Sequence, residues 1–259
     1  MVAKHPVCIK KEVRRDHERD LRHHVEAAGD DRVGVGRAGT ERPVGERLYG
    51  AELLLRRLLP ERAKALWRLG RLALKPIPPA APAIPQAQLD GAVLVSDRRE
   101  MLGRLPRGGR VCELGTLRGD FAREILDIVA PQELHLVDVH FGLCRADVLA
   151  DPRVRRHEMM TTEYLGRAEA GTFDWIYVDA DHGYDAVVQD IAAAKGRVKP
   201  GGLLIFNDFA RIVRPGFGVF GVHQAVCEFL AAEGWPVAFF CFQDEALYDI
   251  ALRRPDLTP

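Results

Sequence analysis

Arg110–Phe121 reads RVCELGTLRGDF, and the fold turns on how that stretch is read. Arg110 to Leu114 is a short, mostly apolar run of the length of a buried strand. Gly115 and Gly119 then bracket a tight turn. From Asp120 the period changes, and Phe121, Ile125 and Ile128 or Val129 recur on one face of a helix. A strand, a glycine turn and a helix start in succession form a cradle for an anion or a nucleotide. Backbone N–H groups point out of the helix end, and glycine lets a ligand approach the main chain. Glu113 places a carboxylate beside that cradle, which suits a ligand carrying an ammonium group better than a bare phosphate.

Strand and helix signals alternate on both sides of this stretch. A helix is expected around Ser96–Leu105, before the first strand Arg110–Leu114. The helix Asp120–Val129 stops before Pro131, and Leu134–Val139 (LHLVDV) reads as the second strand. Further strands are expected near Val154–Met159, at Phe173–Val178 (FDWIYV) and at Leu203–Phe206, the last after a KPGG turn at Lys199–Gly202. Helices are expected at Tyr184–Arg197 and Val222–Ala232. Two closing strands, Pro236–Phe242 and Leu247–Leu252, are near enough for a hairpin. This order predicts an α/β fold: a Rossmann-like doubly wound sheet, mostly parallel, with a C-terminal antiparallel hairpin at one edge. Ligands then bind beyond the carboxyl ends of the strands.

The N-terminal third has a different character. Residues 1–80 hold 18 Lys+Arg against 11 Asp+Glu, whereas residues 81–259 hold 19 against 26, so the main domain is acidic and lacks the basic face of a nucleic-acid binder. Residues 1–47 are charged and aperiodic, as in a disordered tail. Residues 48–75 read as a basic amphipathic helical segment, an N-terminal helical extension expected to serve as a lid or as the contact of a homodimer, the alternative being a face for a membrane surface or acidic partners. Residues 76–89 (with PIPPAAPAIP) read as a proline-rich linker, and residues 90–259 as the main domain. The five cysteines are scattered and never spaced C-x-x-C, which points to a reduced, cytoplasmic setting. No run reaches the roughly 18 apolar residues of a membrane span.

The glycine spacing bears on the ligand. A dinucleotide site wants G-x-G-x-x-G, but Thr116, Leu117 and Arg118 separate Gly115 from Gly119. Asp138, at the end of the second strand, lies where an acidic residue takes ribose hydroxyls for either kind of ligand. Glu113-x-Gly115-x-x-x-Gly119, Asp138, the run FDWIYVDADHGYDAV and KPGG before the next strand together resemble a class I S-adenosylmethionine-dependent methyltransferase. More narrowly, VDADHGYDAVVQDI, GGLLIFNDF and GVHQAVCEF resemble the small-molecule O-methyltransferase-like branch with an Asp-x-Asp-His motif. The resemblance spans about Val93 to Arg253.

It implies that Gly115, Thr116 and Gly119 cradle the methionine end of S-adenosylmethionine, with Glu113 near its ammonium. It further implies that Asp138, Val139 and His140 meet the ribose and adenosine side, that Met159 borders the adenine, and that Asp179 faces the methyl sulfonium. Methyl transfer needs alignment and removal of a proton from the attacking hydroxyl. His182, three residues past Asp179, is the candidate base, the alternative being a His that only caps the next helix or bonds Asp181. Asp179 and Asp208 could share a Mg²⁺, although related sequences often carry two acidic residues where this one has Asn207–Asp208. The loop FARIVRPGFGVFG, with Arg211 and Arg214, could close over the site. The acceptor is expected to be a hydroxylated small molecule, such as a sugar or natural-product intermediate. Two other readings stay open: a nucleotide-binding module without catalysis, and a nicotinamide-dependent oxidoreductase, which the glycine spacing disfavours.

Overall fold

The computed structural model describes residues 80–211, 220–243 and 247–256. The expected tail, the basic helical segment with its homodimer role, and the loop 212–219 with Arg214 lie outside the described residues. Eight strands form one sheet in the order β1-β7-β8-β6-β5-β2-β3-β4. They are β1 Val93–Val95, β2 Arg110–Leu114, β3 Glu133–Asp138, β4 Val154–Glu158, β5 Phe173–Val178, β6 Val198–Phe206, β7 Val237–Phe242 and β8 Tyr248–Arg253. The helices are α1 Gln86–Leu89, α2 Arg98–Arg104, α3 Asp120–Ile128, α4 Ala146–Leu149, α5 Thr161–Arg167, α6 Tyr184–Ala194 and α7 Val222–Glu233. All pairings are parallel except β6–β8 and β7–β8. The mostly parallel, doubly wound fold expected from the sequence is the one observed.

Cores on both faces of the sheet explain why β5 is almost continuously apolar. Ile176 and Val178 pack in one core with Phe173 and Phe206, while Trp175 and Tyr177 pack in the other with Phe121 and Ile125. Phe173 and Ile176 share a face although three residues apart. The register against β6 shifts between Phe173, opposite Val198, and Trp175, opposite Leu203, so the irregularity falls where the alternation of faces breaks. Each fully buried aromatic or aliphatic side chain here is worth roughly 1.5–3 kcal/mol of transfer free energy. Thr161 donates to Asp190 at 2.5 Å, which ties the start of α5 to the buried face of α6.

Two expectations need correction. The C-terminal hairpin is not at the sheet edge. β8 inserts between β6 and β7, and β1 caps β7 in parallel through Val93↔Phe239 and Val95↔Cys241. The KPGG segment is not a turn ahead of the strand; β6 starts at Val198 and absorbs it as an irregularity opposite Asp174, with Gly201 at φ +72°. Packing on the core also reaches residues before 90. Ala81, Ile84 and Leu89 lie on the core, and Gln88 donates to the Leu230 carbonyl at 2.8 Å, so the end of the proline-rich stretch belongs to the domain. Among the described residues no helix is long and apolar enough to cross a membrane.

Candidate functional site

The site lies beyond the carboxyl ends of β2, β3, β5 and β6. Strand β2 ends at Leu114, whose carbonyl accepts the Asp179 N–H at 2.8 Å, while Gly115 N–H donates to Val137 O at 2.8 Å. The turn closes through Gly119 N–H to Thr116 O at 2.9 Å, and Gly119, at φ +75°, caps α3. Gly115 has φ +85°, and a Cβ there would fall 2.2 Å from the Asp179 carbonyl oxygen. The space the sequence reserves at Gly115 is therefore filled by the β5 terminus, and glycine is what brings Asp179 onto the cradle. Leu117, at φ 47°, is one of only three non-glycine residues with positive φ among those described. Such a backbone costs about 1–2 kcal/mol and is retained where the surroundings impose it.

Glu113 is 1% exposed, and Thr116 Oγ1, at 3.4 Å, is its nearest side-chain partner. Burial, and then the charge of Asp179, push its carboxyl well above the usual range. The Thr116 hydroxyl and the charge of Arg98 offset only part of that rise.

Asp138 accepts the Thr116 N–H at 2.8 Å and the Leu117 N–H at 3.0 Å through Oδ2, and the His140 N–H at 3.1 Å through Oδ1. It staples the glycine turn to the end of β3. Each carboxylate oxygen has two lone-pair positions, so Oδ1 keeps capacity for a hydroxyl donor. Val139 is 63% exposed beside it. His140 turns back on its own loop, accepting the Gly142 N–H at 2.6 Å. Met159 is partly buried against the core, and its N–H donates to the Asp138 carbonyl at 3.0 Å; its neighbour Met160 is 58% exposed.

The catalytic candidates converge. His182 Nε2 lies 3.4 Å from Asp179 Oδ1 and 3.6 Å from Asp208 Oδ2, distances of an ion pair rather than of a tight hydrogen bond. Its ring stacks on Phe220 at 4.6 Å, and its carbonyl accepts the Gly221 N–H at 2.8 Å. Burial disfavours the imidazolium, but Asp179, then Asp208 and Asp181, outweigh it and raise the His182 pKa above 6.5. Asp208 has φ 51°, and burial raises its carboxyl from the ordinary value despite His182. Asp181 accepts from Gly183 N–H at 2.7 Å, which sets the start of α6.

This arrangement corrects the Mg²⁺ expectation. The imidazole sits between the Asp179 and Asp208 carboxylates, and Asn207 Nδ2 donates to Asp179 Oδ1 at 2.6 Å. An imidazole ring and an amide N–H thus meet the oxygens a metal would need. Among the described residues no group of three His, Cys, Asp or Glu is placed to hold a metal ion.

A second layer has no counterpart in the sequence reading. Arg98, in the first turn of α2, donates through Nη2 to Asn207 Oδ1 at 2.8 Å and Gln243 Oε1 at 2.5 Å. Its Nε lies 3.7 Å from Asp249 Oδ2, and its guanidinium covers the Phe121 ring at 5.0 Å. Tyr177 Oη donates to Asp249 at 2.8 Å, and Gln243 Nε2 bonds both Asn207 and Asp249. Asp249 is fully buried, and burial, only partly offset by Arg98, pushes it up to about 7. The one signal in the sequence was Asp249 itself, a charge inside the apolar strand YDIALR.

A separate cavity of about 430 Å³, lined by Arg110, His135, His157, Tyr164 and Phe173, opens between β3, β4 and α5. Of the expected cofactor residues only Met159 lines it. His135 Nδ1 is 3.1 Å from His157 Nε2 and 2.5 Å from Tyr164 Oη, and burial, then His157, depress its pKa to about 4.

Residues 112–209 match a family model described as "Methyltransferase domain". The match starts within β2 and ends just past Asp208, so it includes Glu113, Asp138, Asp179, His182 and Asp208 but neither Arg98 nor Asp249. No curated protein matches the chain. Among solved structures, the N-methyltransferase NodS from Bradyrhizobium japonicum WM9 is 20% identical, over 61% of this chain and 95% of that one, with a TM-score of 0.48. NodS in complex with S-adenosyl-L-homocysteine gives 19% identity over 61% of this chain and 86% of that one, with a TM-score of 0.48. An O-methyltransferase family protein from Burkholderia thailandensis gives 14% identity and a TM-score of 0.48; the match covers 62% of this chain and 56% of that protein.

Proposed function

We propose that the chain is an S-adenosylmethionine-dependent methyltransferase acting on a hydroxyl oxygen of a small molecule. The observation that carries the reading is the buried Glu113 carboxyl beside the Gly115–Gly119 turn, within the segment that matches the methyltransferase model. The residues fit the cofactor: Glu113 offers a carboxylate to its ammonium, and the turn offers backbone groups to its methionine end. The exposed Val139 and the spare capacity of Asp138 suit a nucleoside. When bound, S-adenosylmethionine supplies a methyl group activated by a positively charged sulfur.

The chain's own part is alignment and proton removal. Asp179, at the end of β5, presents a carboxylate toward the positively charged end of the cofactor. His182 accepts the proton of the attacking hydroxyl, and Asp179 and Asp208 stabilise the resulting imidazolium. A base whose pKa is raised by neighbouring carboxylates is strengthened for this task, because they favour the protonated form it must reach. Phe220 stacks on the ring, and the Gly221 N–H anchors the His182 backbone carbonyl. The test is turnover of labelled S-adenosylmethionine against a panel of neutral polyols, phenols and amines, with His182→Gln alongside. Turnover of hydroxylated acceptors, lost in the variant with cofactor binding kept, supports the reading. Turnover of amines alone would overturn the oxygen assignment.

A further inference from the structure

Neither proton removal nor the glycine cradle explains why a half-buried arginine stands behind the site. Asn207 supplies the link. Its Oδ1 receives Arg98 Nη2 at 2.8 Å and Gln243 Nε2 at 3.2 Å, so the amide cannot turn end for end without setting its NH₂ group against donors. Asn207 is only 6% exposed, and water cannot relieve such a reversal. Its Nδ2 is thereby committed to Asp179 Oδ1 at 2.6 Å. Arg98 is fixed in turn by three groups: the Phe121 ring at 5.0 Å, Gln243 Oε1 at 2.5 Å and Asp249 Oδ2 at 3.7 Å.

We propose that Arg98 is a positioning residue for the charged end of the cofactor: it locks the Asn207 amide, which holds the Asp179 carboxylate toward the sulfonium. This inference rests on the S-adenosylmethionine reading of the site. By charge alone Arg98 would repel a sulfonium, so its contribution is geometric and comes from the planar fork that reaches Asn207 and Gln243 together. Lysine keeps the charge and loses the fork. Arg98→Lys therefore separates position from charge.

Calorimetric titrations with S-adenosylmethionine and S-adenosylhomocysteine on the wild type, Arg98→Lys, Asp179→Asn and the double variant provide the test. The two ligands differ by the methyl group and its positive charge, so their affinity ratio reads what the site does at the sulfonium. Asp179→Asn is expected to lower that ratio roughly tenfold, the scale of one hydrogen-bonded charge. Arg98→Lys is expected to lower it several-fold with S-adenosylhomocysteine affinity kept, and the double variant no further than Asp179→Asn alone, because the two act in series. Should Arg98→Lys not fold, Asn207→Ala, which cuts the link and leaves Arg98, must lower the ratio likewise. A wild-type ratio in these variants, or losses that multiply in the double variant, would overturn the inference while leaving the cofactor reading intact. If the wild type binds neither compound, or Asp179→Asn leaves the ratio unchanged, the reading of the site fails and takes the inference with it.

Discussion

Gly115 offers a perturbation whose cost can be worked from the structure. In Gly115→Ala the added Cβ would lie 2.2 Å from the Asp179 carbonyl oxygen and 2.7 Å from Ala180 Cα, both backbone atoms. Contacts under 3.0 Å are essentially never seen, so the end of β5 must retreat by about 0.8 Å or more. Two penalties combine: about 1–2 kcal/mol for a side chain at positive φ, and about 1–3 kcal/mol for forcing atoms into a packed site. Gly108 separates them. It has φ +79°, and a methyl group added there would have nothing within 4 Å, so Gly108→Ala incurs the first penalty alone. Urea denaturation should show Gly115→Ala losing about 2–5 kcal/mol and Gly108→Ala about 1–2 kcal/mol. The retreat also displaces Asp179, and a shift of about 1 Å at a reacting centre can cost on the order of a hundredfold in rate. Equal stability losses in the two variants, or full activity in Gly115→Ala, would refute the idea that this glycine exists to seat Asp179.

Three further outcomes are expected. Asp138→Ala leaves the Thr116, Leu117 and His140 N–H groups without their acceptor; stability should fall by roughly 1–3 kcal/mol, and cofactor affinity should fall with it, both measurable by thermal shift with and without ligand. His182 has a raised pKa and must be neutral to act, so the acid limb of kcat/KM should lie above pH 6.5; Asp179→Asn, which removes the main raising influence, should move that limb to lower pH. His135 is held at about 4 against an unfolded value of 6.5, so the unfolded chain binds the extra proton first as pH falls. Stability should therefore drop between about pH 6.5 and 4, by about 2 kcal/mol for a half-buried group that solvent partly screens, and His135→Asn should flatten that part of the denaturation profile.

The local patterns in the sequence carried most of the fold because each rests on a nearest-neighbour cause. The apolar runs of β2 and β5 and the period change at Asp120 fix element type without knowledge of partners. Sheet order depends on distant pairings. Nothing in VLV at Val93–Val95 or in the closing hairpin says that β1 will cover β7 and push the hairpin inward. The KPGG segment misled for a similar reason: its turn chemistry is real, but the strand continues through it opposite the slip at Asp174. At the site, Asp179, His182 and Asp208 were legible because they follow strand ends in sequence. The Arg98–Asn207–Asp249 layer was not, since its members come from α2, β8 and the residue after β6 and meet only in the folded chain. The Mg²⁺ expectation failed on a side-chain rotamer: two carboxylates at strand ends look like a metal pair until an imidazole is found between them.

Whether the Gly115–Gly119 cradle and Glu113 hold S-adenosylmethionine is decided by calorimetric titration of the purified protein with S-adenosylmethionine, S-adenosylhomocysteine and NAD. Micromolar binding of both sulfur compounds is expected, lost when Glu113 is changed to Gln, with no comparable binding of NAD. Folded protein that binds neither sulfur compound, or that prefers NAD, would contradict the assignment of this site to S-adenosylmethionine.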